Sequence, residues 1–232
     1  MKIDILTLFP EMFAPLFASV TGRAAKTGIL ELNAVNIRGF TNDKHGRCDD
    51  YTFGGGEGML MTPQRLCDAL NHADPKRTAR RIYMSPRGRL LTVEKAKELA
   101  ELPHIVILCG HYEGVDQRVI DNYIDEEISI GDFILTGGEL PAMILADCVA
   151  RFVTGVLGNS ASAEYESFNG GLLEFPQYTR PSDFNGIPVP PVLLSGDHEK
   201  IRGWRLKEQI KITKKNRPDL YKKYVKEHKN DK

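Results

Sequence analysis

Along roughly the first 155 residues, short apolar runs alternate with stretches whose apolar positions recur at helical spacing. Ile3 to Phe9 reads as a strand and Glu11 to Val20 as the helix after it. Leu30 to Ile37 alternates apolar and polar residues, the period of a half-buried strand. Thr62 to Ala73 is helical, with Thr62 placed as N-cap and Pro63 at the first helical position, where its missing N–H is no loss. Arg81 to Met84 forms a short strand ending at Ser85-Pro86, and Val93 to Leu102 an amphipathic helix. His104 to Cys109 (HIVILC) is the most apolar strand, which places it at the centre of a parallel sheet. Val115 to Tyr123 follows as a helix, Glu127 to Ile130 as a strand and Leu140 to Val153 as an apolar helix. This alternation predicts an α/β layer around a mostly parallel sheet, without internal repeats.

From Gly155 to Pro191 the periodicity is lost. The segment is rich in Gly, Ser, Asn and Pro, the composition of linkers and functional loops. Beyond it, Asp197 is placed to cap a basic helix running through Trp204 to about Asn216. Pro218 interrupts, and a shorter helix follows through Tyr221 and Tyr224. The chain reads as a large α/β domain, a mobile linker and a small basic helical domain.

Composition narrows the class. With 232 residues, 41% hydrophobic and 27% charged, the chain is an ordinary globular protein with a proper core. No apolar run approaches the roughly 20 residues that span a bilayer, so no membrane partner is expected. The N-terminus, with one Lys, an early acidic residue and a proline, reads as a first strand and not as a signal peptide. Four widely spaced cysteines (Cys48, Cys67, Cys109, Cys148) suit a reducing compartment, and a cytoplasmic location is expected. The net charge of zero hides an asymmetry: residues 199–232 carry 13 Lys and Arg against 5 Asp and Glu, a balance of +8, and the rest of the chain −8. Such a tail suggests a polyanionic partner, although a solvated Lys-rich helix with no partner fits the charge as well.

The candidate chemistry lies at strand ends. Glycine-containing runs at Ser85–Gly88, Cys109–Gly114, Ile130–Leu135 and Thr136–Pro141 follow successive strands, where open α/β sheets bind ligands. Glycine lets the backbone approach a ligand and offer its N–H and C=O groups, so these loops can build a main-chain pocket suited to a flat adenine ring and ribose. The GxGxG in Phe53–Met59 follows a polar segment, and Met59 occupies the last glycine position of GxGxxG, so a dinucleotide fingerprint is not supported. Gly54 to Gly58 reads instead as a flexible, substrate-facing loop. A P-loop, a GxSxG elbow and HExxH are lacking, and the six His show no metal-ligand spacing, so no metal-ligating residues are expected.

In order along the chain stand GGGEGM (54–59), YMSPRG (83–88), CGHYEGVDQR (109–118), ISIGDFILTGGELPAM (128–143), RFVTGVLG (151–158), ESFNGGLLEFPQYTRP (166–181) and PPVLLSGDHEKIRGWR (190–205). Together they closely resemble the bacterial tRNA (guanine-N1)-methyltransferases, knotted SPOUT-type enzymes that modify the guanosine at tRNA position 37, just 3′ of the anticodon. The match covers essentially the whole chain.

The resemblance implies a parallel-sheet α/β domain with a deep C-terminal trefoil knot over 1–157, a flexible linker over 158–171 and a mainly helical, tRNA-binding domain over 172–232. It implies a homodimer with each active site shared between subunits, and S-adenosylmethionine bent in the knot. The loops matching that cofactor site are Tyr83, Met84, Ser85, Pro86 and Gly88; Gly110, Tyr112 and Glu113; Ile130, Gly131, Phe133, Ile134 and Leu135; and Gly137, Gly138 and Pro141. By motif position the general base maps to Glu166 and the cation near guanine O6 to Arg151. Asp49, Asp50, Gly55, Gly56, Gly58, Arg151 and Ser167 map to the tRNA guanine site. The family also depends on Mg2+, for which no site is legible. One departure stands out: the family usually has Asp where this chain has Glu166, one methylene longer. Two other classes frame the reading, a non-catalytic RNA-binding module and a nucleotide-dependent oxidoreductase. Affinity for S-adenosylmethionine and for a nicotinamide cofactor separates them.

Overall fold

The computed structural model describes residues 1–40, 46–158 and 166–228. The chain divides into two compact units, Met1–Gly158 and Asn159–Lys232.

Unit 1 is built on five strands: β1 (Lys2–Thr7), β2 (Glu31–Asn36), β5 (Arg80–Leu90), β6 (His104–Cys109) and β7 (Glu126–Ser129). They lie in the order β2-β1-β6-β5-β7, every neighbouring pair parallel. The apolar HIVILC run is the middle strand, as its lack of polar alternation requires, and Ile105 to Leu108 are fully buried. A two-stranded antiparallel ribbon, β3 (Asp49–Tyr51) and β4 (Met59–Met61), lies outside this sheet.

Five helices complete the unit: α1 (Ser19–Lys26), α2 (Pro63–Ala73), α3 (Val93–Ala100), α4 (Gln117–Tyr123) and α5 (Glu139–Ala150). Their buried faces form two clusters, one on each side of the sheet. Ala24, Ala96, Leu99, Leu145 and Val149 of α1, α3 and α5 pack with Ile3, Ile5, Ile105 and Ile107. Leu66, Leu70 and Val119 of α2 and α4 pack with Leu6, Val106 and Leu108, the alternate residues of the same strands. The crossover β5–α3–β6 steps one way along the sheet and β6–α4–β7 steps back, so right-handed connections put α3 and α4 on opposite faces.

Three local expectations are corrected. The helix placed at Glu11 to Val20 is a 3-10 segment, Pro10–Phe17, followed by α1 at Ser19. Pro15 inside that segment cannot donate the α-helical hydrogen bond, and the chain is extended at Ala18 (φ −104°, ψ 171°) before α1 starts. The strand ending at Ser85-Pro86 instead resumes and runs to Leu90. Thr62 occupies the N-cap position of α2, yet its hydroxyl donates to the Cys48 carbonyl at 3.3 Å and leaves the helix end uncapped by a side chain.

Unit 2 contains a short hairpin, β8 (Asp183–Phe184) with β9 (Ile187–Pro188), and two helices, α6 (His198–Asn216) and α7 (Pro218–Glu227). Asp197 caps α6, its carboxylate accepting from Lys200 N at 3.1 Å. The buried Thr213 hydroxyl accepts from Leu173 N at 2.8 Å and donates to Gln209 O at 2.6 Å, which ties the 172–173 segment to α6.

Candidate active site

Because the five strands run the same way, the loops after β5, β6 and β7 leave from one edge of the sheet. The loop after β5 leads to one face and the loop after β6 to the other, which opens a crevice between them. A cavity of about 260 Å³ lies there, just below the usual range for ligand sites.

The β5 wall is Tyr83, Met84, Ser85 and Pro86. After Met84 the pairing with β7 slips, Met84 and Arg89 both facing Ile128, so residues 85–88 bulge out of the ladder. A Cβ on Gly88 would lie 2.4–2.6 Å from the Glu127 and Ile128 backbone. The Gly88 position therefore requires glycine for contact with β7, and Gly88 does not line the cavity.

The β6 wall is Gly110, Tyr112 and Glu113. Gly110 lies against the buried Tyr83 phenol, whose oxygen would be 2.8 Å from an added Cβ. Burial, with the Glu127 charge adding, pushes the Tyr83 hydroxyl pKa up, so it stays a neutral donor. Tyr112 takes a left-handed backbone (φ 58°), and the turn closes by Gly114 N donating to His111 O at 3.1 Å. The β7 side supplies Ile130, Gly131, Phe133, Ile134 and Leu135. Ser129 Oγ accepts from Gly131 N at 3.2 Å and donates to Gly131 O at 3.1 Å, holding this loop at its start.

Gly137, Gly138 and Pro141 close the last side. Gly138 N donates to Gly110 O at 2.8 Å, and an added Cβ would lie 2.8 Å from Cys109 Cα and Gly110 N. Two loops far apart in sequence thus touch backbone to backbone, a contact only glycine permits. Fifteen of the sixteen positions expected at one ligand site surround one cavity, Gly88 being the exception. His111, Gly114, Ile128, Ser129 and Thr136 also line it. Their signal was adjacency, since each flanks or interrupts one of the expected runs. His111 lies between Phe9 and Tyr112, with ring centroids 5.1 and 5.2 Å away, and its Nδ1 is buried without a hydrogen-bond partner. Glu139, at the start of α5, is buried and accepts from Thr7 Oγ1 at 2.9 Å.

Asp49 and Asp50 fall on β3, with the Asp50 carboxylate turned to Tyr51 N at 2.8 Å. The turn beyond them holds Gly54, Gly55, Gly56 and Gly58 at positive φ, and Gly55 has open space around it. Phe53 at its tip is 99% exposed. Gly58 packs on the Glu113 side chain, Glu113 N donates to Met59 O at 3.0 Å, and Met61 N donates to Gly114 O at 2.9 Å. The glycine turn is therefore anchored to a wall of the cavity.

Arg151 is half-buried at the C-cap of α5 in unit 1. Glu166 and Ser167 belong to unit 2, where both are half-buried. There Ser167 Oγ accepts from Glu174 N at 2.9 Å, and Asn169 N donates to Glu166 O at 3.3 Å. Phe168 between them takes a left-handed backbone (φ 76°), a conformation of the kind that clusters at functional sites. Among the described residues, no group of three or more His, Cys, Asp or Glu side chains is placed to hold a metal ion.

The sequence profile of the family described as tRNA (Guanine-1)-methyltransferase TrmD matches residues 1–223. The chain belongs to this family. As a member it is a methyltransferase. A tRNA (guanine-N(1)-)-methyltransferase of Ruminiclostridium cellulolyticum is 54% identical, over 96% of this chain and 97% of its own length. Proteins of the same description from Clostridium acetobutylicum and Lachnospira eligens are 53% and 50% identical, over 97% and 98% of this chain and 93% and 98% of their own lengths. No helix among the described residues is long and apolar enough to cross a membrane.

Proposed function

We propose that this methyltransferase moves a methyl group from S-adenosylmethionine to N1 of the guanine at tRNA position 37, as a cytoplasmic homodimer whose subunits share each active site. The observation that carries the reading is the main-chain-walled cavity at the sheet edge in a chain of this family. Its size and its wall of glycine backbone, with Gly110, Gly137 and Gly138 at places where a Cβ would meet neighbouring atoms, fit a flat adenine and ribose. The close approach of the Gly138 loop to the end of β6 supports the trefoil knot, whose last segment would be the 130–150 region. The exposed Phe133, Ile134, Leu140 and Ile144 support a subunit partner on unit 1.

Bound in the cavity, S-adenosylmethionine supplies an electrophilic methyl group on its sulfonium. The protein's own task is to make guanine N1 a nucleophile and align it. Glu166 takes the N1 proton as general base, which frees the N1 electron pair to form the N–C bond while the methyl group's S–C bond would break and its electron pair return to sulfur. Arg151 holds the negative charge that develops on O6. The exposed Gly54–Gly58 turn and Asp49 and Asp50 clamp the base once it leaves its stack, and the anchoring of that turn to Glu113 supports this coupling. The basic C-terminal unit contacts tRNA phosphates. Mg2+ is implied by the family, and among the described residues no group of three or more His, Cys, Asp or Glu is placed to hold it.

The test is incubation of the purified protein with S-adenosylmethionine and unmodified tRNA bearing G37, with the nucleosides then identified by mass spectrometry. 1-Methylguanosine at position 37 is expected. Glu166→Gln should lower kcat by about 10²- to 10⁴-fold, the usual share of a general base, with cofactor affinity unchanged. Methylation by that variant at the parental rate refutes the assignment of Glu166.

A further inference from the structure

Unit 2, taken by itself, holds a second cavity of about 430 Å³ between Phe175 and one stripe of α6. The stripe is His198, Ile201, Arg202, Arg205, Leu206 and Gln209, positions that recur every three or four residues and so share one helix face. No acidic side chain lines it. The basic side chains of α6 differ in their partners, and Arg202 and Arg205 are the ones that line this cavity. Lys200 pairs with Asp197 at 2.9 Å and Lys211 with Glu208 at 3.4 Å, Lys214 lies 5.9 Å from the Tyr221 ring, and Lys207 and Lys215 have no carboxylate within ion-pair distance among the described residues. Arg202 and Arg205 have no carboxylate within ion-pair distance among the described residues. Arg205 instead sits 4.7 Å from the centroid of Phe175, which holds its guanidinium by a cation–π contact.

Two like charges three residues apart repel on a helix, a cost that a bound anion would relieve. The guanidinium suits a phosphate: its planar fork donates two parallel N–H bonds, and stacking on an aromatic ring fixes the plane in advance. The floor beside it is apolar, made of Phe175, Ile201 and Leu206, with Leu206 45% exposed. Phosphate-binding cations next to a half-buried apolar and aromatic floor are the parts of a single-nucleotide site on a strand of RNA.

We propose that this notch is a nucleotide subsite for the RNA substrate, Arg202 and Arg205 gripping one or two backbone phosphates while an adjoining base rests on Phe175, Ile201 and Leu206. The proposal rests on the reading of tRNA as the substrate and adds a defined contact to it, away from the reacting guanine.

The test is equilibrium binding of unmodified tRNA to the full-length protein across a salt series. The variants are Arg202→Gln/Arg205→Gln, Arg205→Lys and Lys211→Gln. Each lost phosphate contact lowers the slope of log K against log salt by about 0.7 to 0.9, so the double variant should lose about 1.5 and bind on the order of 10- to 100-fold more weakly. Arg205→Lys should keep the slope but bind several-fold more weakly, because charge remains while the stacked fork is gone. Lys211→Gln, which removes one exposed charge outside the cavity, should weaken binding by no more than several-fold and clearly less than the double variant. S-adenosylmethionine affinity should be parental in all three. A double variant with parental slope and affinity, or one no worse than Lys211→Gln, overturns the subsite while leaving tRNA binding intact. A parental protein without affinity for tRNA overturns the substrate reading and this proposal together.

Discussion

Gly138→Ala isolates the backbone contact that closes the cavity. Gly138 has φ −82° and ψ −4°, a negative-φ backbone at the border of the α and bridge regions that alanine can adopt, so the methyl group itself is the main perturbation. That methyl would lie 2.8 Å from Cys109 Cα and from Gly110 N. Carbon atoms pack comfortably at about 3.5–4.0 Å, so the loop must give way by roughly 0.7 Å or more. The neighbours are backbone of the central strand and its first loop residue, which are held by the sheet, so Gly138 has to move. Moving it strains the Gly138 N to Gly110 O bond of 2.8 Å and shifts the start of α5, where Ala142 N donates to Gly138 O at 2.9 Å. Overpacking of this kind costs about 1–3 kcal/mol. If the same displacement narrows the ligand site, S-adenosylmethionine affinity falls by about 10- to 100-fold, at 1.4 kcal/mol per decade. Urea unfolding measures the first number and calorimetric titration the second. A folded variant with lowered stability but parental cofactor affinity refutes the placement of the cofactor in this cavity.

Asp74→Asn should destabilise unit 1 by about 3–5 kcal/mol in urea unfolding, because it leaves the 1%-exposed Arg81 without the carboxylate that accepts from its Nε at 3.0 Å. Burial alone would raise the Asp74 pKa, but the Thr78 and Ala79 N–H groups and the Arg81 guanidinium outweigh it and hold the carboxyl below its ordinary value. Its contribution is thus complete above the unfolded-state pKa near 4 and lost as pH falls through the lower folded value, so parent and variant should converge in stability in acid. Gly58→Ala combines φ +83° with a Cβ 2.4 Å from Glu113 Cγ, whereas Gly55→Ala at φ +80° meets open space. The first should lower kcat/KM for tRNA by at least 10-fold and the second by less, with about 1–2 kcal/mol of stability lost to left-handed backbone strain; equal activities would remove the coupling of the glycine turn to Glu113. Chelation by EDTA should suppress methylation and added Mg2+ restore it, as measured by methyl transfer to tRNA.

The local alternation of apolar and polar residues carried most of unit 1. HIVILC lacks polar positions because both faces of β6 are covered, and that fact alone placed it in the middle of the sheet. Asp197 and Pro218 punctuated α6 and α7 because capping and proline effects are local, acting within one turn of helix. The ordered motifs likewise named fifteen residues of one cavity. Only tertiary structure showed that these residues meet, because a parallel sheet joins chain ends separated by whole crossover helices. Gly88 shows the limit: its sequence context is the same as its neighbours', yet the space beside it is filled by β7 backbone and not by a cavity. The continuation of β5 past Pro86 was likewise set by the surroundings, where pairing with β7 overrides local propensity, while the 3-10 segment at Pro10–Phe17 follows from Pro15, a local signal. The carboxylate-free arginine pair beside Phe175 was invisible as sequence, since charge runs along the whole tail. What sets Arg202 and Arg205 apart is the cavity beside Phe175 that the fold places next to them.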